Sequence, residues 1–168
     1  MRNATHLFVS KRQLHIGNFT FDVDIGKNGL ALNKQEGDYK TPVGTFPLRR
    51  VFYNLERVQL PSIQLATHAI TRDDGWCDDP ASPDYNRLIK LPYSFSHEIL
   101  FRTNDVYDVF IEVGYNDDPI IPGKGSAIFI HSKSPSGYTA GCIALDKKDL
   151  SLILPLLSKD SEITIDEE

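Results

Sequence analysis

FTFDVDI, residues 19–25, alternates apolar and polar side chains without a break. Successive side chains of a β-strand point to opposite faces, so this alternation predicts a strand with one buried face. Leu14 and Ile16 precede it across Gly17-Asn18, which predicts a tight hairpin. A further strand is expected around residues 7–9. The first fifty residues are therefore expected to consist mainly of strands.

Turn-forming residues separate the strands that are predicted farther along the chain. Residues 26–42 carry Gly, Asp and Pro at a density typical of a loop, and residues 73–92 are expected to form a second, ordered loop. Five more strands are predicted, and the second and third of them are expected to pair across Asn104-Asp105: 43–53, 98–103, 106–115, 126–130 and Glu162–Ile165. Val109, Ile111, Val113 and Tyr115 are predicted to share one face.

One helix is predicted late in the chain. Asp146 is a typical N-cap residue, Asp149 follows in the first turn, and Pro155 is expected to end or kink the helix. Apolar residues recur along the same segment at Leu150, Leu152, Ile153 and Leu156. The sequence thus predicts one mainly β domain, residues 1–168, with a single C-terminal helix.

Composition excludes several classes of protein. The 168 residues are 40% hydrophobic and 24% charged, which suits a globular domain, and the apolar runs fall short of the ~18 residues of a transmembrane helix. The net charge of −5 argues against non-specific nucleic-acid binding. The two cysteines, Cys77 and Cys142, cannot form a disulfide framework. No apolar segment of signal-peptide length follows Met1, which predicts a mature or cytosolic chain, although a trimmed export signal would look the same.

His131 and Cys142 are the candidates for nucleophilic catalysis. His131 ends a predicted strand, and Cys142 follows eleven residues later across a loop rich in Gly, Ser and Pro. An imidazolium beside a thiol lowers the thiol pKa and makes the sulfur a stronger nucleophile. Gly141 permits a sharp turn that leaves nearby amides free to bind an oxyanion. The spacing alone leaves open a buried structural cysteine beside a hydrogen-bonded histidine.

Two ordered motifs resemble the L,D-transpeptidase (YkuD-type) family. Ile130-His131-Ser132 followed by Thr139-Ala140-Gly141-Cys142-Ile143 resembles its catalytic signature, and GDYKTPVGTFPL, residues 37–48, resembles its Thr-Pro-x-Gly-x-Phe segment. The resemblance extends from Leu7 to the end of the predicted helix.

Some positions depart from the common pattern of that family. Ala140 stands where many members have a second histidine, and Ala144 where an Arg or Asn often follows the cysteine. The His-to-Cys loop is also shorter than in many members. Residues 73–87 resemble the Trp-x-Asp-Asp-Pro…Tyr-Asn-Arg segment of a divergent, mostly proteobacterial branch. The departures leave the acyl acceptor and the orientation of the substrate open.

The resemblance implies a β-sandwich or barrel-like fold and cysteine acyl transfer on peptidoglycan stem peptides, without a metal or organic cofactor. Cys142 would be the nucleophile, His131 its general base, and the Ser132 carbonyl would orient the imidazole. Thr139 and Gly141 would line the site, with the amides of Gly141 and Cys142 as oxyanion donors. Cys142 would release D-Ala from a stem, and an amine of another stem would resolve the thioester.

Two alternatives to this transferase stay open. An L,D-carboxypeptidase would resolve the same thioester with water, and a wall-binding module would carry an inert cysteine. The resemblance implies a periplasmic or cell-envelope location, with roles in cell-wall biogenesis and cell shape and sensitivity to carbapenems. It implies no nucleic-acid partner and leaves the oligomeric state open.

Four further residues are predicted to contact substrate, each with a structural alternative. Arg87 and Arg102 could clamp carboxylates or form surface ion pairs. Trp76 and Tyr85 could wall the cleft or anchor the long loop in the core. His68 and the acidic residues from Asp73 to Asp79 are interpreted as structural and turn-capping groups, although a substrate role for His68 and a calcium site stay open.

Overall fold

One large sheet dominates the computed structural model, which describes residues 5–167. The described residues contain fourteen strands: β1 His6–Ser10, β2 Gln13–Ile16, β3 Phe19–Asp22, β4 Leu30–Ala31, β5 Thr41–Pro42, β6 Gly44–Tyr53, β7 Ala66–Ala69, β8 Asp74–Cys77, β9 Leu88–Lys90, β10 His97–Ile99, β11 Val109–Val113, β12 Phe129–Ser132, β13 Ile143–Leu145 and β14 Glu162–Ile165. Nine of them form the large sheet in the order β13-β12-β11-β6-β14-β1-β2-β3, with β7 also paired to β6. Strands β10-β8-β9 form a second sheet and β4-β5 a third.

The two ends of the large sheet approach each other. Strand β13 ends the path on one side and β3 on the other, and the chain just after β3 returns to β13. Asp24 and Ala144 exchange two backbone hydrogen bonds of 2.9 Å each, and a second bridge joins Gly26 to Thr139. Hydrogen bonds between the two ends satisfy backbone groups that an open edge would expose. The sheet is therefore nearly closed, which confirms the predicted mainly β, barrel-like fold.

Two hydrophobic clusters lie on opposite sides of the central strands. The first is mainly aliphatic and includes Val109, Ile111 and Val113, which share one face of β11 as predicted. The second is largely aromatic and includes Phe110 from the opposite face of the same strand. Every residue of β11 is buried, as expected for a strand covered on both faces.

The predicted C-terminal helix is present. Helix α1 spans Lys147–Ile153 after the N-cap residue Asp146, whose side chain makes no capping hydrogen bond. A short 3-10 helix, Leu154–Leu156, follows and contains Pro155. The proline lacks a backbone N–H, which accounts for the end of the α-helix. Among residues 5–167, no helix has the length and apolar character needed to cross a membrane.

Two expectations from the sequence are wrong. Residues 73–92 are not simply a loop, because they contain β8 and β9, which pair antiparallel. Strand β10 pairs with β8, so the hairpin predicted across Asn104-Asp105 does not form. Both edges of β11 are already occupied by β6 and β12, which leaves β10 to pair elsewhere. The segment at residues 26–42 is a loop as predicted, apart from the two-residue strands β4 and β5.

Candidate active site

The sheet brings His131 and Cys142 to one face of two neighbouring strands. Strands β12 and β13 are parallel, with Ile130 opposite Ile143 and His131 opposite Ala144. Because side chains alternate along a strand, His131 lies on the face opposite to Ile130, and Cys142 on the face opposite to Ile143. These are the same face of the sheet. The parallel pair of strands therefore places both side chains on one sheet face, at neighbouring positions of adjacent strands.

The Cys142 sulfur is held as a thiol by two backbone groups. Its Sγ accepts a hydrogen bond from the Phe129 amide at 3.3 Å and donates one to the Ala127 carbonyl at 3.2 Å. Only 7% of the residue is exposed. Burial raises the pKa of the thiol to about 12, and the negative charge of Glu98 acts in the same direction. At neutral pH the resting sulfur is therefore protonated, in contrast to the lowered pKa expected for an ion pair.

The His131 imidazole is held as a neutral base. Its Nδ1 lies 2.8 Å from the Ser132 carbonyl, and because a carbonyl can only accept, Nδ1 carries the proton. Nε2 of the neutral ring is then the free acceptor. Burial lowers the pKa of His131 to about 4, which outweighs the opposing effect of the Ser132 bond. Among residues 5–167 no hydrogen bond joins this ring to the Cys142 thiol, so the resting pair is uncharged on both sides.

The turn before the cysteine depends on Gly141 and Thr139. Gly141 has a φ of +146°, and an added Cβ would lie 2.9 Å from the Lys40 carbonyl oxygen. Thr139 Oγ1 donates to the Cys142 carbonyl at 2.6 Å and accepts from the Gly141 amide at 3.0 Å. The Gly141 amide must therefore leave Thr139 before it can act as the oxyanion donor that was predicted.

A cavity of about 150 Å³ opens beside the Cys142 residue. It is lined by Lys34, Glu36, Gly37, Tyr39, Asp78, Glu98, Ser126, Ala127, Ile128, Ala140, Gly141 and Cys142. The loop at residues 26–42 contributes one wall, and β10 contributes another through Glu98. A small space beside a neutral thiol can hold the carbonyl group that such a sulfur would attack.

The catalytic-domain model of the YkuD family, described as the L,D-transpeptidase catalytic domain, matches residues 3–165. The chain belongs to this family. No protein of curated function matches it in sequence. Among solved structures, the helical cell shape determining protein Pgp2 from Campylobacter jejuni has a similar fold, with a TM-score of 0.53 and 18% identity. That match covers 98% of this chain and 48% of Pgp2.

Two mycobacterial structures also match this L,D-transpeptidase family chain. L,D-transpeptidase 1 from Mycobacterium tuberculosis has a TM-score of 0.45 and 14% identity, over 97% of this chain and 59% of that one. The L,D-transpeptidase from Mycobacterium smegmatis has a TM-score of 0.43 and 12% identity, over 96% and 58%. The present chain therefore spans about half the length of the structures it matches.

The four residues of this family member that were predicted to contact substrate differ in their position relative to the cavity. Arg102 lies near the cavity, with its guanidinium carbon 3.9 Å from the centre of the Tyr107 ring and a nitrogen 3.6 Å from Glu98 Oε2. Arg87 is exposed on the surface. The described residues that line the cavity do not include Arg87, Trp76 or Tyr85.

Trp76 and Tyr85 instead connect the long loop to the interior. The Trp76 indole N–H donates to Asn86 Oδ1 at 3.0 Å inside the aromatic cluster. The Tyr85 hydroxyl donates to Glu36 Oε2 at 2.5 Å and accepts from the Gly125 amide at 2.9 Å. Both side chains therefore lie where they would be expected if they anchor the long loop in the core.

His68 and Asp74 form a buried polar contact away from the cavity. The Asp74 carboxylate is fully buried and accepts from Lys90 at 2.6 Å and from the Thr71 amide at 2.8 Å. His68 Nε2 lies 3.0 Å from Asp74 Oδ2, the oxygen that also accepts from the Thr71 amide. Despite the opposing effect of burial, these partners lower the pKa of Asp74 to about 2. Among residues 5–167 no group of three or more His, Cys, Asp or Glu side chains is arranged to hold a metal ion.

Sequence reasoning missed three groups at the site. Lys34 comes from the loop at residues 26–42, and its ammonium lies 2.7 Å from Asp38 Oδ1. Glu98 and Tyr107 are joined by a 2.7 Å hydrogen bond, and the Tyr107 ring packs against His131 with their centroids 5.5 Å apart. No local pattern marks these positions. They come from three separate parts of the chain, the loop at residues 26–42, strand β10 and the segment before β11.

Proposed function

We propose that the protein is a cysteine L,D-transpeptidase that acts on peptidoglycan stem peptides. The observation that carries the proposal is the position of the Cys142 sulfur on the wall of a cavity, on the same sheet face as a neutral His131 with a free Nε2. Membership of the L,D-transpeptidase family supports the choice of peptidoglycan as substrate. A periplasmic or envelope location is part of the same proposal.

The first half-reaction forms a thioester. The Cys142 sulfur attacks the carbonyl carbon of the L-centred third residue of a stem, while His131 Nε2 accepts the thiol proton. As the bond to D-Ala breaks, the imidazolium returns that proton to the departing amine. A preformed thiolate is not needed, because a neutral imidazole takes the proton during the attack. The Ser132 carbonyl keeps Nδ1 protonated and thus keeps Nε2 as the acceptor.

The second half-reaction releases the acyl group. An amine of another stem attacks the thioester carbonyl, a C–N bond forms, and the C–S bond breaks to restore the thiol. Water in place of the amine would give the carboxypeptidase reaction. Backbone N–H groups near residue 142 stabilise the oxyanion in both steps once the Gly141 amide turns away from Thr139.

Intact mass spectrometry with a carbapenem tests the nucleophile. The unmodified protein and the Cys77→Ala variant are expected to gain the mass of one drug molecule, whereas Cys142→Ala gains none. Cys77 is a matched control, because it is also a free, buried cysteine. An adduct that persists in Cys142→Ala would contradict the assignment.

Incubation with a stem tetrapeptide then distinguishes transfer from hydrolysis. A transpeptidase yields a cross-linked dimer and D-Ala, whereas a carboxypeptidase yields tripeptide and D-Ala. Failure to form either an adduct or any product would favour the non-catalytic wall-binding module.

A further inference from the structure

The charged side chains that line the cavity beside Cys142 are mainly acidic. Four charged side chains line it: Lys34, Glu36, Asp78 and Glu98. The single cation, Lys34, is only 4% exposed and is paired with Asp38 at 2.7 Å. Its charge is thus already compensated within the loop. The remaining three carboxyl groups make the space next to the sulfur unfavourable for a carboxylate of the substrate.

Each of these three carboxyl groups has an oxygen left for a ligand. Glu36 Oε2 accepts from Tyr85 and from Ser126, whereas its Oε1 has no hydrogen-bond partner among residues 5–167. Asp78 Oδ1 exposes almost no surface and accepts no hydrogen bond from any residue in the described part of the chain. Glu98 Oε2 accepts from Tyr107, whereas Oε1 has no hydrogen-bond partner among residues 5–167. A buried acceptor without a donor is costly, so the cavity suits a group with several N–H donors.

Glu98 stands at the junction of two spaces. It lines the cavity with Cys142, and it also lines an open pocket of about 560 Å³ that includes Arg102. Its side chain is 29% exposed, which makes it accessible from solvent. Through Tyr107 it is fixed relative to His131. Glu98 is the one described residue that lines both spaces.

We infer that Glu98 binds the ammonium group of the acyl acceptor and so directs the Cys142 thioester to a cationic amine in preference to water. This inference rests on the proposed acyl transfer. An ammonium carries three donors, which match Glu98 Oε1 and Asp78 Oδ1. Stem peptides end in carboxylates, so the acceptor amine is the part of the two substrates that this acidic cavity favours.

In the transfer step, the bound ammonium gives one proton to the Glu98 carboxylate and becomes a neutral amine. The amine attacks the thioester carbonyl, the C–N bond forms, and the C–S bond breaks. The second amine proton passes through His131 Nε2 to the departing sulfur, which restores the Cys142 thiol. Glu98 finally releases its proton to solvent. Burial raises the pKa of Glu98, which makes its carboxylate a better proton acceptor than an ordinary one.

Partition of the acyl-enzyme between acceptors tests this inference. The Glu98→Gln variant keeps an oxygen for Tyr107 but loses the charge. Each protein is given stem tetrapeptide together with either a cationic stem amine or hydroxylamine, which is uncharged at neutral pH. With Glu98→Gln, we expect the ratio of transfer to hydrolysis to fall about tenfold or more for the cationic amine and to change less than about threefold for hydroxylamine. KM for the cationic amine should rise. Each ratio compares two products of the same acyl-enzyme, so a change in the rate of thioester formation does not alter it.

Glu56→Gln is the matched control, because it removes one carboxylate from an exposed ion pair with Arg72. It should leave both ratios unchanged. If Glu98→Gln does not fold by circular dichroism, Glu98→Asp keeps the charge on a shorter side chain, and it should lower the ratio for the cationic amine only. Equal ratios in the variant and the unmodified protein would overturn the inference. If tripeptide is the sole product of the unmodified protein, the inference is also overturned, but thioester formation at Cys142 remains supported. Absence of a Cys142 adduct would instead overturn the proposed function.

Discussion

Alkylation of Cys142 by iodoacetamide should remain slow far above neutral pH. The thiol pKa is raised to about 12 by burial and by the charge of Glu98. At pH 8 about 10⁻⁴ of such a thiol is ionised, against about a quarter of an ordinary thiol with a pKa of ~8.5. The ionised fraction is thus about 2,000-fold smaller. A thiolate of higher pKa is intrinsically more nucleophilic, by about 40-fold over this difference, so the net slowing is about 50-fold.

The pH profile separates this effect from simple steric protection. Alkylation is followed by intact mass in the Cys77→Ala background, with the same protein in urea as the unfolded reference. The logarithm of the native rate should rise by about one per pH unit up to at least pH ~10, because no ionisation of Cys142 is completed in that range. His131→Ala should leave the profile in place, since the resting imidazole is neutral. Circular dichroism at each pH confirms that the protein stays folded.

Two results would refute this reasoning. A plateau below pH ~9 would show that the thiol ionises at or below its ordinary pKa. A profile that shifts towards high pH when His131 is replaced by Ala would show a thiolate–imidazolium pair in the resting protein. Either outcome would restore the expectation drawn from the sequence, in which the imidazolium lowers the thiol pKa.

Three further predictions concern stability and the turn before the nucleophile. Lowering of the Asp74 pKa from 3.8 to about 2 contributes about 2 kcal/mol to the free energy of unfolding above pH ~4, and this contribution is lost as the pH falls through about 2. In urea denaturation, Asp74→Asn should therefore be destabilised by about that amount at pH 7 and by about half of it near pH 3. An equal difference at both pH values would contradict the assignment. Gly141→Ala should lower the free energy of unfolding by about 1–3 kcal/mol, because the residue has a positive φ and an added Cβ would lie 2.9 Å from a backbone oxygen. The same variant should form the carbapenem adduct at Cys142 more slowly. Gly137→Ala, also at positive φ but without a neighbour within 4 Å, is the control, and equal losses in both would argue against the steric part of the effect. Phe110→Ala should lower the free energy of unfolding in guanidinium by about 3–5 kcal/mol, because the ring is fully buried and stacks on the Phe52 ring with centroids 4.7 Å apart. A loss under about 2 kcal/mol would show that the aromatic cluster collapses to fill the space left by the ring.

One-sided burial explains which strands could be predicted from the sequence. Strand β14 was predicted with the bounds that the structure shows, and the hairpin of β2 and β3 was found through its Gly17-Asn18 turn. Strand β8 was missed because Asp74 and Gly75 are typical of turns. Its four residues are nonetheless buried, and Lys90, a partner farther along the chain, donates to the Asp74 carboxylate. Such long-range contacts leave no periodic pattern in the local sequence.

Some residues of the candidate site could likewise be predicted from the local sequence, and others could not. His131 and Cys142 could be singled out because their motif combines a strand end with a glycine turn. Glu98 lies in a different sheet, and nothing in its immediate neighbours distinguishes it from a surface glutamate. Trp76 was left open between a cleft wall and a core anchor. It lies in the aromatic cluster, because a large ring surrounded by acidic residues can still be buried by the packing of a second sheet.

The position of β14 bears on how the protein folds during synthesis. This strand pairs with β6 on one side and with β1 on the other, and it joins the N-terminal hairpins to the remainder of the large sheet. Ribosomes make residues 162–165 after every other strand of that sheet. Until they emerge from the exit tunnel, the nascent polypeptide exposes the facing edges of β1 and β6. The large sheet can therefore close only after β14 has been made, and two unpaired edges are open to chaperones in the meantime.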